Sequence, residues 1–140
     1  MDLNKDILVL ILMLFFHVID DFCLQQVLAK LKQKKFWLEN YPQELYKDDY
    51  IIALIIHAFE WSVMIHLPIV VYLLFDCHDV FLSSPRFNIF IGLFIGQIFI
   101  HAIVDNLKAN YLKISLLDDQ VIHLTQIVIS WCILKCIVLL

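Results

Sequence analysis

The sequence holds very little glycine or proline, two and three residues in 140. So few chain breakers leave little room for long loops, disordered stretches or a glycine-rich phosphate-binding turn. Charge is also scarce: Asp, Glu, Lys and Arg make up 17% of the chain, against about 25% in an average soluble domain. The formal net charge of −4 gives no basic surface on which nucleic acid would bind. No dinucleotide fingerprint and no Ser–His–Asp pattern is present. The four cysteines, Cys23, Cys77, Cys132 and Cys136, form no C-x-x-C pair and read as small apolar residues packed inside the fold. The first apolar run lacks a basic leader. Asp2 and Asp6 come before it, and His17, Asp20 and Asp21 close it without a small-residue cleavage site. It reads as a retained helix rather than a signal peptide.

What is plentiful is apolar side chain, 62% of the chain. A soluble fold of this size cannot bury that much, because too large a share of its residues must face water. The expectation is one domain over 1–140: an all-α, polytopic membrane protein built as an antiparallel bundle of four transmembrane helices. A span needs about 20 mostly apolar residues. Four stretches qualify, at about 7–31, 50–75, 87–111 and 116–140. The second half of the first is amphipathic, and Pro68 should kink the second. The connection at about 29–49 carries Lys30, Lys32, Lys34 and Lys35, then Phe36 and Trp37, the composition of a segment lying along lipid headgroups. Tyr41 and Pro42 end it. Lysines and arginines predominate on the side holding the first and third connections (Lys30, Lys32, Lys34, Lys35, Lys47, Lys108 and Lys113). Lys5, Arg86 and Lys135 lie on the other. That bias predicts a multi-pass protein of the cell membrane with both termini outside the cytoplasm.

Ionisable residues inside a span are costly and mark function by default. Each stretch has such a set. His17 and Asp21 are four apart, as are His101 and Asp105, and Asp119 and His123; His57 and Glu60 are three apart. Residues at these spacings share one helix face. The sets fall late in the first and third stretches and early in the second and fourth. Antiparallel neighbours then bring all four to one level, in the cytoplasmic half of the membrane. His66 is turned away from His57 and reads as a packing residue. His78, between Asp76 and Asp79, reads as solvated. Asp20 and Asp118 read as facing headgroup water. His17-Val18-Ile19-Asp20-Asp21 can be set against His101-Ala102-Ile103-Val104-Asp105, which suggests two pseudo-repeated helical hairpins.

The pieces His17-x3-Asp21-Phe22-x-Leu24-Gln25, His57, His101-x3-Asp105-x2-Lys108 and Asp119-Gln120-x2-His123 resemble a family of small bacterial and phage membrane proteins, domain of unknown function 3307. The resemblance implies a four-helix membrane protein and brings no activity with it. Glu60, Asp20 and Asp118 lie outside the pattern.

Three functions fit these residues. In the first, imidazoles and carboxylates bind a divalent transition metal (zinc, manganese or iron). His17, Asp21, His57, His101, Asp105, Asp119 and His123 are then ligands or their supports, and one or two ions fit the donor count. Glu60 would be a general base, Asp105 a further catalytic group, and Lys108 would attract a phosphate. The protein would be a metal-dependent hydrolase acting on a lipid-linked or membrane-embedded substrate, with the lysine-rich connection gathering anionic headgroups. In the second, the chain of His, Asp and Glu carries protons or cations, although His66, Gln97, Thr125, Gln126 and Ser130 are the few polar residues beyond the cluster. In the third, the polar layer is structural in a scaffold or partner subunit. Gly92 and Gly96 form a G-x-x-x-G that marks a helix contact, within the bundle or between copies in a homo-oligomer.

Overall fold

A computed structural model describes residues 3–76 and 84–139; Cys77, His78 and Asp79 lie outside the described residues. All regular structure among the described residues is helical. Helix α1 covers Leu3–Ile19 and runs into a π-helical turn, Asp20–Leu24. Two short helices follow, α2 (Gln26–Leu31) and α3 (Lys34–Asn40), then a 3-10 turn at Glu44–Tyr46. Three long helices complete the chain: α4 (Asp49–Asp76), α5 (Ser84–Ala109) and α6 (Leu116–Leu139).

The last three agree closely with the sequence reading, and α4 continues through Pro68. The first stretch does not stay one helix. An i→i+5 bond from Gln25 N to Asp20 O, 3.1 Å, widens the backbone there, and α2 starts on a new path.

The long helices pack in a ring: α1 on α4, α4 on α5, α5 on α6, and α6 back on α1. Neighbours are antiparallel. Lys5 at the start of α1 pairs with Asp76 at the end of α4. Lys135 near the end of α6 lies 3.4 Å from Asp6. At the opposite end, Lys108 of α5 lies 2.6 Å from Asp119 of α6.

The bundle has two unlike layers. Near the chain ends Val9, Met13, Ile65, Ile69, Leu73, Ile127 and Leu134 form an apolar core. Near the connections the interior is polar, with His17, Asp20, His57, His101, Asp105, Asp119 and His123 all buried. The outer surface reverses this polarity. Phe15 and Val18 of α1, Ile52 and Phe59 of α4, Phe99 and Ile103 of α5, and Val121 and Val128 of α6 are all exposed.

Among the described residues, three segments are long and apolar enough to cross a membrane: Asn4–Leu24, Glu44–Asp76 and Pro85–Ala109. The sequence reading expected four. At 24 residues α6 is long enough. Its apolar content is diluted by Asp118, Asp119, Gln120, His123, Gln126, Ser130 and Lys135.

Two smaller expectations also change. Cys23, Cys132 and Cys136 are exposed on the outer surface, not packed inside. A Cβ added at Gly92 or Gly96 would meet nothing within 4 Å, so no close approach within this bundle depends on either.

The α5–α6 turn holds Leu112 at φ 53°, where a Cβ crowds the backbone at a cost of about 1–2 kcal/mol. Leu112 is exposed, so packing is not the compensation. Leu112→Val, whose β-branch tightens the clash, should lower the midpoint of thermal unfolding in detergent, whereas Leu112→Gly should keep or raise it. A lower midpoint for the glycine variant would contradict this strain.

Candidate metal centre

Every polar set named from the sequence meets in the polar layer. α1 and its π turn deliver His17, Asp20 and Asp21. α4 delivers His57 and Trp61, α5 delivers His101 and Asp105, and α6 delivers Asp119, Gln120 and His123. The i, i+4 spacing does what it predicts: the nitrogen–oxygen separations are 3.8 Å for His17–Asp21, 3.9 Å for His101–Asp105 and 3.3 Å for His123–Asp119.

Two groups of donors converge, and they share His101: Asp21 with His57 and His101, and Asp105 with His101 and His123. In the second group, His123 Nε2 lies 3.5 Å from Asp105 Oδ1; Asp119 stands outside both groups, with its Oδ1 3.3 Å from His123 Nε2. In the first, His57 Nε2 lies 3.3 Å from His101 Nε2, 3.6 Å from Asp21 Oδ1 and 3.4 Å from Asp105 Oδ2. Donors about 2.0–2.1 Å from a tetrahedral ion sit about 3.3–3.4 Å apart. The spacings around His57 and His123 lie near that edge length, and His101–Asp105, at 3.9 Å, exceeds it.

Hydrogen bonds decide which lone pairs face inward. The Nδ1–H of His123 donates to Gln126 Oε1, 3.0 Å. Gln126 Nε2 donates to Gln97 Oε1, 2.6 Å, and Gln97 Nε2 to Ser130 Oγ, 2.9 Å. This relay leaves the Nε2 lone pair of His123 turned toward Asp105 and Asp119, as the outer partner of a metal-bound histidine does. His123 Nε2 and Asp119 Oδ1 are buried with no hydrogen-bond partner among the described residues. The His101 ring stacks on His123 at 4.1 Å and on Trp61 at 4.2 Å, which fixes its plane.

The other candidates have different surroundings. Trp61 Nε1–H donates to His17 Nδ1, 2.9 Å, and the other His17 nitrogen lies 3.2 Å from Gln120 Oε1. Both ring nitrogens of His17 are thereby engaged, and the structure brings it into neither donor group. Glu60 is half-buried and also outside both groups; it lies close enough to act on the charge of Asp20. Lys108 is bonded to Asp119 Oδ2, 2.6 Å, rather than free to receive a phosphate. His66 is a packing residue as read, with Nδ1 2.8 Å from Ser62 O.

Sequence reasoning missed two members. Asp20 does not face headgroup water. It is 1% exposed, and neither oxygen has a hydrogen-bond partner among the described residues. The π turn points it inward beside Asp21, with Oδ2 3.8 Å from His57 Nδ1. Lys32 does not reach out to a headgroup. It is 8% exposed, and its Nζ donates to Asp105 Oδ2, 2.5 Å. Nothing in a run of four lysines marks which one turns inward.

Charge then becomes decisive. Asp20, Asp21, Asp105 and Asp119 are four carboxylates, and Lys32 and Lys108 are two cations. Two negative charges are left over when the histidines are neutral. Buried charge is stable when it is paired, bound to a metal or neutralised by a proton, and one divalent ion would supply the difference.

No family model, curated protein or solved structure matches this chain.

With metal chelated, Asp20→Asn should stabilise the protein by about 1 kcal/mol or more, since it removes a buried charge without a bonded partner and keeps the shape. Equilibrium unfolding in detergent measures this. A loss of stability would mean that the Asp20 carboxylate is compensated in the fold.

Proposed function

We propose that this chain is a small four-span membrane protein that binds a divalent transition-metal ion through the group His101, His123 and Asp105 Oδ1, with Asp119 Oδ1, which faces His123, completing the shell. The observation that carries the reading is the buried pair His123 Nε2 and Asp119 Oδ1, 3.3 Å apart and both without a hydrogen-bond partner among the described residues. The Gln126 bond holds the proton of the neutral ring on the other nitrogen, so in that state the Nε2 lone pair faces a carboxylate oxygen. A metal ion between them removes the conflict and balances the leftover charge.

Zinc, manganese and iron all accept imidazole and carboxylate. Four protein donors around one ion make a closed site, the arrangement of structural rather than catalytic zinc. The burial of all four donors points the same way. The hydrolase reading would require an open coordination position and a path for a lipid-linked substrate, and these four donors supply neither. A transport path is opposed by the apolar layer of Met13, Ile65, Ile69, Leu73 and Leu134, none more than 1% exposed.

The membrane reading rests on the reversed polarity of the bundle. It extends to α6, which turns Val121, Leu124 and Val128 outward while Asp119, His123 and Ser130 face in. Its likeness to domain of unknown function 3307 rests on the motifs alone, and so do the two pseudo-repeated hairpins. Lys30, Lys34 and Lys35 on the connecting side favour a cytoplasmic position for that side and suit anionic headgroups. The open face at Gly92 and Gly96 suits a second copy.

Detergent-purified protein should carry one equivalent of a transition metal by elemental analysis, and His123→Ala should lose it. Gln126→Leu should weaken the affinity about 10–100-fold, the usual effect of removing a ligand's outer partner. A folded wild-type protein that takes up none of zinc, manganese or iron would overturn the proposal. A cysteine placed at Lys34 should react only with reagent applied from the cytoplasm; labelling from outside would reverse the orientation.

A further inference from the structure

The Asp105 carboxylate has two faces. Oδ1 belongs to the site just proposed. Oδ2 points the other way, to His57 Nε2 at 3.4 Å and Lys32 Nζ at 2.5 Å. His57 Nε2 also has Asp21 Oδ1 at 3.6 Å. Asp21 Oδ1 and Asp105 Oδ2 thus both lie within 3.6 Å of His57 Nε2, in the donor group that His57 and Asp21 form with His101, and Lys32 brings the ammonium of a flexible side chain to Asp105. Two further partners stand at His57 Nε2: His101 Nε2 at 3.3 Å, and the Gln25 amide, whose Nε2 lies 2.9 Å from it and 3.2 Å from Asp21 Oδ1. The inner donors are therefore met by groups that stand where a cation would: an ammonium and an amide N–H. Behind His57, the Asp20 carboxylate lies 3.8 Å from Nδ1, beyond hydrogen-bond distance.

We infer that Asp21, His57 and Asp105 form a second divalent-cation site, bridged to the first through Asp105, for which the Lys32 ammonium is the built-in competitor. This rests on the first site, since Asp105 can bridge only if an ion binds its Oδ1. Three protein donors and one displaceable position are the composition of a reactive metal site, so the lysine decides whether the centre is closed or open.

The segment carrying Lys32 is built to move. α2 is six residues long and has no buried residue of its own. It is set off from α1 by the π turn. Its far end is held by a few bonds: Asn110 Nδ2 to Lys32 O, 3.0 Å, Lys34 N to Asn110 Oδ1, 2.7 Å, and Trp37 Nε1 to Leu31 O, 2.6 Å. Elements with little buried surface open at low free energy. Leu24, Val27 and Leu38 are exposed, which keeps the segment against the lipid surface when its lysine withdraws. Exchanging one ammonium for a divalent ion adds one positive charge to the layer.

Manganese(II) titration with electron paramagnetic resonance tests this. Wild-type protein should bind one tight ion with the signal of an isolated manganese. Lys32→Met, which keeps the length and removes the charge, should bind two, with the second showing exchange coupling to the first. Asn110→Ala keeps Lys32 but frees its segment, and should tighten the second ion about tenfold relative to wild type. It carries the test if the methionine variant does not fold. Variants that fold, bind one uncoupled ion and titrate like wild type would overturn the second site and leave the first intact. A wild-type protein that binds no ion at all would remove the first site, and this inference with it.

Discussion

Three aspartates, Asp20, Asp105 and Asp119, are buried and a fourth, Asp21, is mostly so, and the rest of the polar layer is arranged around that fact. A carboxylate inside a low-dielectric bundle is tolerated only against a positive charge or a dense set of N–H donors. The fold supplies both from every side. Lys32 comes in from α2 and Lys108 from the end of α5. Gln25 and Gln120 spread their amides across Asp21 and its neighbours. With neutral histidines the balance is still two positive charges short. Apolar side chains of similar volume would hold four helices together at least as well. The layer is therefore understood more readily as a place where something positive binds than as glue.

The scaffold is suited to holding such a place rigid. Each donor comes from a long helix, and the helices meet as antiparallel neighbours, so residues late in one face residues early in the next. Trp61 is the central support. Its ring stacks on His101 and its N–H fixes His17, so one fully buried side chain sets the position of two imidazoles. The Ser130–Gln97–Gln126–His123 relay does the same for a third, working from α5 and α6. The apolar core beyond this layer closes it toward the chain termini.

Much of this was legible in the sequence because helices turn spacing into geometry. His101 with Asp105 and Asp119 with His123 share faces because they are four apart, and antiparallel order brings those faces together. The three long helices α4 to α6 start and end close to where the apolar runs place them. What was not legible depends on departures from regular helix or on contacts between distant elements. The π turn at Asp20 has no sequence signal, yet it turns two adjacent aspartates inward at once. Lys32 looks like its three lysine neighbours. Lys108 sits one turn beyond Asp105, but its partner is Asp119, fixed by how α5 meets α6. The division of the donors into two groups with Asp105 between them is likewise a matter of packing.

X-ray absorption on zinc-loaded protein in detergent tests the central claim most directly, because it reads the atoms around the ion. The account predicts a first shell of nitrogen and oxygen at about 2.0–2.1 Å, with the outer scattering of two imidazoles that falls to one in His123→Ala. A shell of water oxygens without imidazole scattering, unchanged in that variant, would contradict it.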